Sequence, residues 1–167
     1  YDEFYYNMRF QKDRGQVLDL VTAVPTPDRL KRVINLWNQH GVDGIGKTQT
    51  LMWGIDRKDG GRGVGFTGGH YHRNWAINDF RKIVLNAIVW VAGIDVPKNG
   101  VASKALTEED LNANLDKYST ENPWIPLPNV EEFMNLPAAT NVSMEDYEEA
   151  EAAKKKQLVK KRKAAKG

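Results

Sequence analysis

Cysteine is absent from the 167-residue chain, and histidine is scarce at three residues. The first absence removes disulfides, thiolate metal sites and cysteine nucleophiles, although it does not by itself choose a redox compartment. No apolar run reaches the roughly 18 residues that cross a bilayer, and no basic, apolar, small-residue leader opens the chain, so neither a membrane span nor an uncleaved signal is expected. No internal repeat occurs. The chain opens at Tyr1 rather than at Met, which reads as a processed or partial chain and leaves the compartment open.

What is present is enough for one ordinary domain and a tail, since 41% of the residues are hydrophobic. The net charge of +2 conceals an asymmetry. The last fourteen residues, KKKQLVKKRKAAKG, hold eight of the 24 Lys and Arg and none of the 22 acids, so the first 153 carry 16 basic against 22 acidic residues. A basic end of this kind attracts polyanions. The acidic run MEDYEEAEAA beside it supplies i,i+4 partners on a helix, and no aromatic residue interleaves the lysines, so a solvated helix over 145–163 is expected and nucleic acid is not an expected main partner.

Strand and helix periods place the rest. DEFYYNMRF and GQVLDLVTAV are rich in β-branched and aromatic residues and read as strands. TPDRLKRVINLWNQHG reads as an amphipathic helix, with Thr26 or Asp28 as cap, Leu30, Val33, Ile34 and Trp37 on one face and Gly41 as its end. QTLMWGID and GVGFTGG are two strands that should pair antiparallel around the turn signal Asp59 and Gly60. In NDFRKIVLNAIVWVAG, Phe80, Ile83, Val84, Ala87, Ile88 and Val91 recur at helical spacing while Leu85, Val89 and Trp90 make the other face apolar. A helix buried on most sides is expected there, capped by Asn78 and stopped by Gly93. The composition then divides the chain into a domain over 1–101, a proline-rich extended arm over 102–142 that buries Trp124, Ile125 and Leu127, and a charged helical tail over 143–167. Within the arm, LTEEDLNANLDKY reads as a capped short helix.

The chemistry-bearing residues crowd into GFTGGHYHRNW, residues 65–75. Gly63, Gly65 and Gly68 satisfy G-x-G-x-x-G, but the helix begins ten residues later, so the strand-turn-helix frame of a dinucleotide site is missing. NVS at 141–143 fits a glycosylation sequon, a short pattern that recurs by chance. His70 and His72 stand two apart, which in an extended segment puts both imidazoles on one side. Three readings stay open: loop histidines bonded to backbone and packed on Trp75, imidazoles that bind a ligand, or two ligands of a metal site completed by a carboxylate such as Asp2 or Glu3.

DEFYYNMRF, then LVTAV, then GRGVGFTGGHYHRNWAINDFRKIVLNAIVWVAGIDVP resemble the C-terminal half of the trehalose-utilisation (ThuA-like) family, over roughly residues 1–101. In that family a strand enters a Gly-His turn, an aromatic residue follows, and a helix of the type FRKLVLNAILWVAG closes the domain. The resemblance implies a doubly wound α/β sandwich of the flavodoxin or class I glutamine amidotransferase type, without a Cys-His-Glu triad. It also implies carbohydrate metabolism around trehalose or keto-sugars. The family's N-terminal half has no counterpart here, which implies another polypeptide, or an oligomer, beside this chain; the insert over 27–47 and the extension after 103 lie outside the family core.

Two functions follow from that resemblance. In one, the chain is a sugar-processing enzyme in which His70 is the general acid or base, with Asp2, Glu3, Tyr5, His72 and Trp75 binding the ligand. In the other it is a non-catalytic sugar-binding or assembly subunit whose arm and tail dock a partner chain.

Overall fold

The computed structural model describes residues 2–10, 15–30, 38–115, 127–129, 131 and 144–164. Its elements are mixed α and β: β1 (Gln16–Ala23), α1 (Gln39–Val42), β2 (Gln49–Asp56), β3 (Arg62–Phe66), a 3-10 turn (His72–Ala76), α2 (Asn78–Val91), α3 (Glu108–Asn112) and α4 (Met144–Ala164). The chain divides into two compact units. The first comprises 1–5, 9–21 and 51–137; the second comprises 6–8, 22–50 and 138–167.

In the first unit the three strands form one sheet in the order β1-β2-β3. Strands β2 and β3 pair antiparallel, with Trp53 opposite Gly65 and Asp56 opposite Arg62. The intervening residues close as the Asp59–Gly60 signal requires: Gly60 adopts φ +84°, Arg57 N–H donates to the Gly61 carbonyl at 2.8 Å, and the Asp59 carboxylate accepts from Gly61 N–H and from the Arg57 guanidinium. Gly15, just before β1, lies against the Asp56 carbonyl at the end of β2, the arrangement of antiparallel neighbours. The chain is thus mixed α/β as expected, and its described strands make one small antiparallel sheet. Met52, 1% exposed, is the centre of its core.

Segment 2–10 is not a strand. Asn7 takes φ 63°, which breaks an extended run. The aromatic residues that suggested a strand go to separate partners instead. Phe4 packs on Phe66 with ring centroids 6.1 Å apart, and Phe10 meets Trp53 edge-on at 5.2 Å. In the second unit, the Tyr6 hydroxyl donates to the Gly41 carbonyl at 2.7 Å, and burial raises its pKa.

Helix α2 forms where its period places it and stops at Gly93 as expected, but its N-cap and its burial differ from expectation. Ile77, without a side-chain bond, is the N-cap, and Asn78 turns its carbonyl oxygen to Arg81. At the other end Gly93 adopts φ +77° and its N–H bonds to the Trp90 carbonyl while Ile94 N–H reaches Val89, a Schellman stop that a residue with a Cβ would strain. Arg62 adds a donor to the Trp90 carbonyl at 3.2 Å and lies over the Trp90 ring, a cation placed at the negative end of the helix. Three strands cannot cover a helix that is apolar all round, so Ile88 (60% exposed) and Val91 remain in water. Two apolar grooves of about 330 Å³ flank the helix, one floored by Phe66, Val64 and Met52 and the other by Leu18, Leu20 and Gly54.

The C-terminal part follows its sequence signals unevenly. Thr107 and Asp110 form a capping box on α3, each side chain accepting from the other residue's N–H, and Leu111 is buried at 2% exposure. Leu127, a residue of the arm that was expected to be buried, is exposed; Trp124 and Ile125 lie outside the described residues. Gly41 sits inside the short helix α1, capped by Asn38, rather than ending a long one; Val33, Ile34 and Trp37 lie outside the described residues. Helix α4 has no buried residue.

Candidate functional site

Between β3 and α2, all within the first unit, the chain makes a loop from Thr67 to Tyr71. Gly69 takes φ +95° there, and the backbone N–H groups of Gly69, His70 and Tyr71 converge on one carboxylate, that of Asp2, at 2.6, 3.1 and 3.3 Å. Successive N–H groups gathered in this way form a nest for an anion. Asp2 also accepts the N–H of Glu3 at 2.9 Å. Burial pushes its carboxyl pKa up, but the N–H donors of Gly69, Glu3 and Tyr71 and the Asn74 side chain outweigh burial and hold it below the ordinary 3.8.

The nest fixes what stands next to it. With Asp2 engaged, the neighbouring Glu3 carboxylate lies 3.6 Å from His70 Nε2, and both side chains are about half exposed. The His70 ring meets the Tyr71 ring edge-on at 4.8 Å. An aromatic chain holds the loop from behind: Phe4 on Phe66, Phe66 on Phe80 at 5.6 Å, and Phe80 edge-on to Trp75 at 5.1 Å. Thus the loop, the N-terminal segment, β3 and α2 meet through rings that contribute about 0.5–1.5 kcal/mol per pair beyond their burial.

Asp2, Glu3 and His70 are brought together; His72 and Trp75 are drawn elsewhere. The alternation rule that put both imidazoles on one side fails because His72 opens the 3-10 turn. His72 Nε2 lies 2.8 Å from the Leu111 carbonyl, so that nitrogen carries the proton and donates. Trp75 packs on Phe80, and its carbonyl accepts from Arg81 at 2.7 Å. Tyr5 is 59% exposed. Among the described residues no group of three His, Asp or Glu side chains is gathered to hold a metal ion. The polar centre that sequence reasoning missed is Arg81, 7% exposed, which binds Trp75, Asn78, Ser103 and Lys104. Arg81 stands beside Lys82 in the helix, and nothing local in the sequence distinguished the buried cation from its neighbour.

Chemically, the Glu3–His70 pair offers a carboxylate acceptor and an imidazole that can donate, accept or transfer a proton, beside the Tyr71 ring. Its geometry depends on Asp2. Asp2→Ala is therefore expected to lower stability by about 1–3 kcal/mol, since it strips a charged acceptor from three loop N–H groups, and to speed hydrogen exchange at Gly69, His70 and Tyr71. Because the folded pKa is depressed, this stabilisation is complete above the unfolded value of about 3.9 and is lost as pH falls through the lower folded value. The stability gap between wild type and Asp2→Asn should accordingly shrink in urea titrations below pH 3.8 and stay constant above about pH 5. A gap that widens in acid contradicts this role. No family model, no curated protein and no solved structure matches this chain, so the site rests on its own geometry.

Proposed function

We propose that this is a ThuA-like protein of carbohydrate metabolism that binds a sugar of the trehalose or keto-sugar class at the loop over 68–75. The observation that carries the reading is the half-exposed Glu3–His70 pair, 3.6 Å apart, on a loop braced by the Asp2 carboxylate. A sugar presents vicinal hydroxyls, each both donor and acceptor. A carboxylate paired with an imidazole answers both roles, and Tyr71 supplies a flat apolar edge. In the enzyme form of the reading, His70 moves the proton and Glu3 orients its ring.

The test is calorimetric titration of trehalose and its keto derivatives into wild type, His70→Ala, Glu3→Gln and Tyr5→Phe, alongside a hydrolysis assay. In the non-catalytic form of the reading, binding should be weakened at least about tenfold in His70→Ala. If turnover exists, it should fall by roughly two to four orders of magnitude in that variant with modest change in affinity. Wild type that binds none of these sugars overturns the reading.

The exposed apolar surface favours a second reading, in which further strands from another polypeptide extend the sheet at β1 into a doubly wound sandwich and cover the grooves flanking α2. Leu20 is 48% and Ile88 60% exposed, apolar surface beside the two grooves that such a partner would bury. Light scattering and co-purification from the native source should yield a complex, and a stable lone monomer contradicts it.

A further inference from the structure

Helix α4 (Met144–Ala164) carries its acids and bases in separate halves, with Glu145 and Asp146 in the first turn and Lys161, Arg162 and Lys163 in the last. On a helix a cation is neutralised by an acid three or four residues before it. The last acid is Glu151, which pairs with Lys154 at 3.0 Å, and its reach ends at Lys155. Lys156, Lys160, Lys161, Arg162 and Lys163 have no acid in register, and among the described residues none of them forms an ion pair. The expected neutralisation thus stops one turn into the basic half.

We infer that the basic end of α4 is a sequence-independent contact for the phosphate backbone of duplex nucleic acid. Screening separates the two halves. Glu151, the last acid, and Lys161 stand about 15 Å apart along the axis, nearly twice the screening length of about 8 Å at physiological salt, so the acids only partly offset the field of the last turns. The cations also surround the helix. At about 100° per residue, Lys156, Lys160 and Lys163 fall on one flank and Lys161 and Arg162 on the other. A groove that admits an α-helix has phosphates on both walls and meets both flanks at once. A flat anionic membrane meets one flank only, and the helix has no apolar face to insert. An antiparallel second copy of α4 would match the charges but lacks an apolar seam, leaving only exposed ion pairs of little strength. Tyr147, in the acidic half, is its one aromatic residue, so base stacking on single strands has no platform.

Fluorescence anisotropy of the full chain with two labelled duplexes of unrelated sequence tests this. Both should bind with equal affinity at low salt, and the affinity should fall about 150-fold between about 50 and 200 mM salt, the slope for some four neutralised phosphates. The combined variant Lys160→Gln, Lys161→Gln, Arg162→Gln and Lys163→Gln should lose most of that slope while keeping its far-UV helix signal. Lys160→Arg with Lys161→Arg and Lys163→Arg should keep both slope and affinity. No binding at low salt, the same slope in the glutamine variant, or tighter binding to phosphatidylserine vesicles than to duplex overturns the inference.

Discussion

Arg81→Ala should lower folding stability by about 3–5 kcal/mol, the range for removing one partner from a buried charged network. Its guanidinium is the only charged side chain buried among the described residues, and it bonds to four groups from three parts of the chain. Nη1 donates to the Trp75 carbonyl at 2.7 Å, Nη2 to the Lys104 carbonyl at 3.0 Å and to Asn78 Oδ1, and Nε to Ser103 Oγ at 3.1 Å. The 3-10 turn, the first turn of α2 and the segment leading to α3 thus share one hub. Alanine leaves those oxygens unpaired and opens a void. Arg81→Lys should recover only part of the loss, because one ammonium cannot reproduce a planar fork. Urea midpoints at unchanged m report the effect, and a loss below about 1 kcal/mol would show that water replaces the hub without penalty.

Gly65→Ala should cost about 3 kcal/mol, at the upper end of what overpacking a core usually does. A Cβ at this position would stand 2.1 Å from Trp53 Cζ2 and 2.3 Å from Cε2. The indole lies across Gly65 because the two residues are directly opposite in the β2–β3 register, and Phe10 meets the same ring edge-on at 5.2 Å. The half-buried ring, with Phe10 against it, must shift to admit the methyl. Gly63, two residues earlier on the same strand, has nothing within 4 Å of its Cβ position, so Gly63→Ala should be neutral or slightly stabilising through the unfolded chain. Equal effects at the two glycines would contradict the packing around Trp53, and tryptophan fluorescence of the Gly65 variant reads the displacement directly.

Local signals were legible and distant ones were not. The hairpin could be read because Asp59 and Gly60 encode their own turn, and α2 because its apolar period runs unbroken to Gly93. The capping box at Thr107 and the charge pattern of α4 are equally local. Segment 2–10 was misread because its aromatic residues look like a strand until Asn7 turns, and where each ring goes depends on Phe66 and Trp53, more than forty residues away. Asp2 and Glu3 were legible as candidates, yet their different roles were not: one fills a nest 67 residues downstream and the other is left beside His70. His70 and His72 looked equivalent because alternation was assumed where the chain coils. The burial of α2 was overestimated because a helix apolar on all sides implies neighbours that a three-stranded sheet does not supply.

The proposed sugar site at the braced loop is tested most directly by amide and side-chain NMR during titration with trehalose and its keto derivatives. Saturable shifts are expected at His70, Glu3 and Tyr71, with the Gly69 amide following, while Gly63 and Ile88 stay fixed; Asp2→Ala should weaken the same response without abolishing the fold. Shifts confined to Ile88, Val91 and Leu20, or none at saturating sugar, would contradict it and leave residues 65–75 as a structural turn.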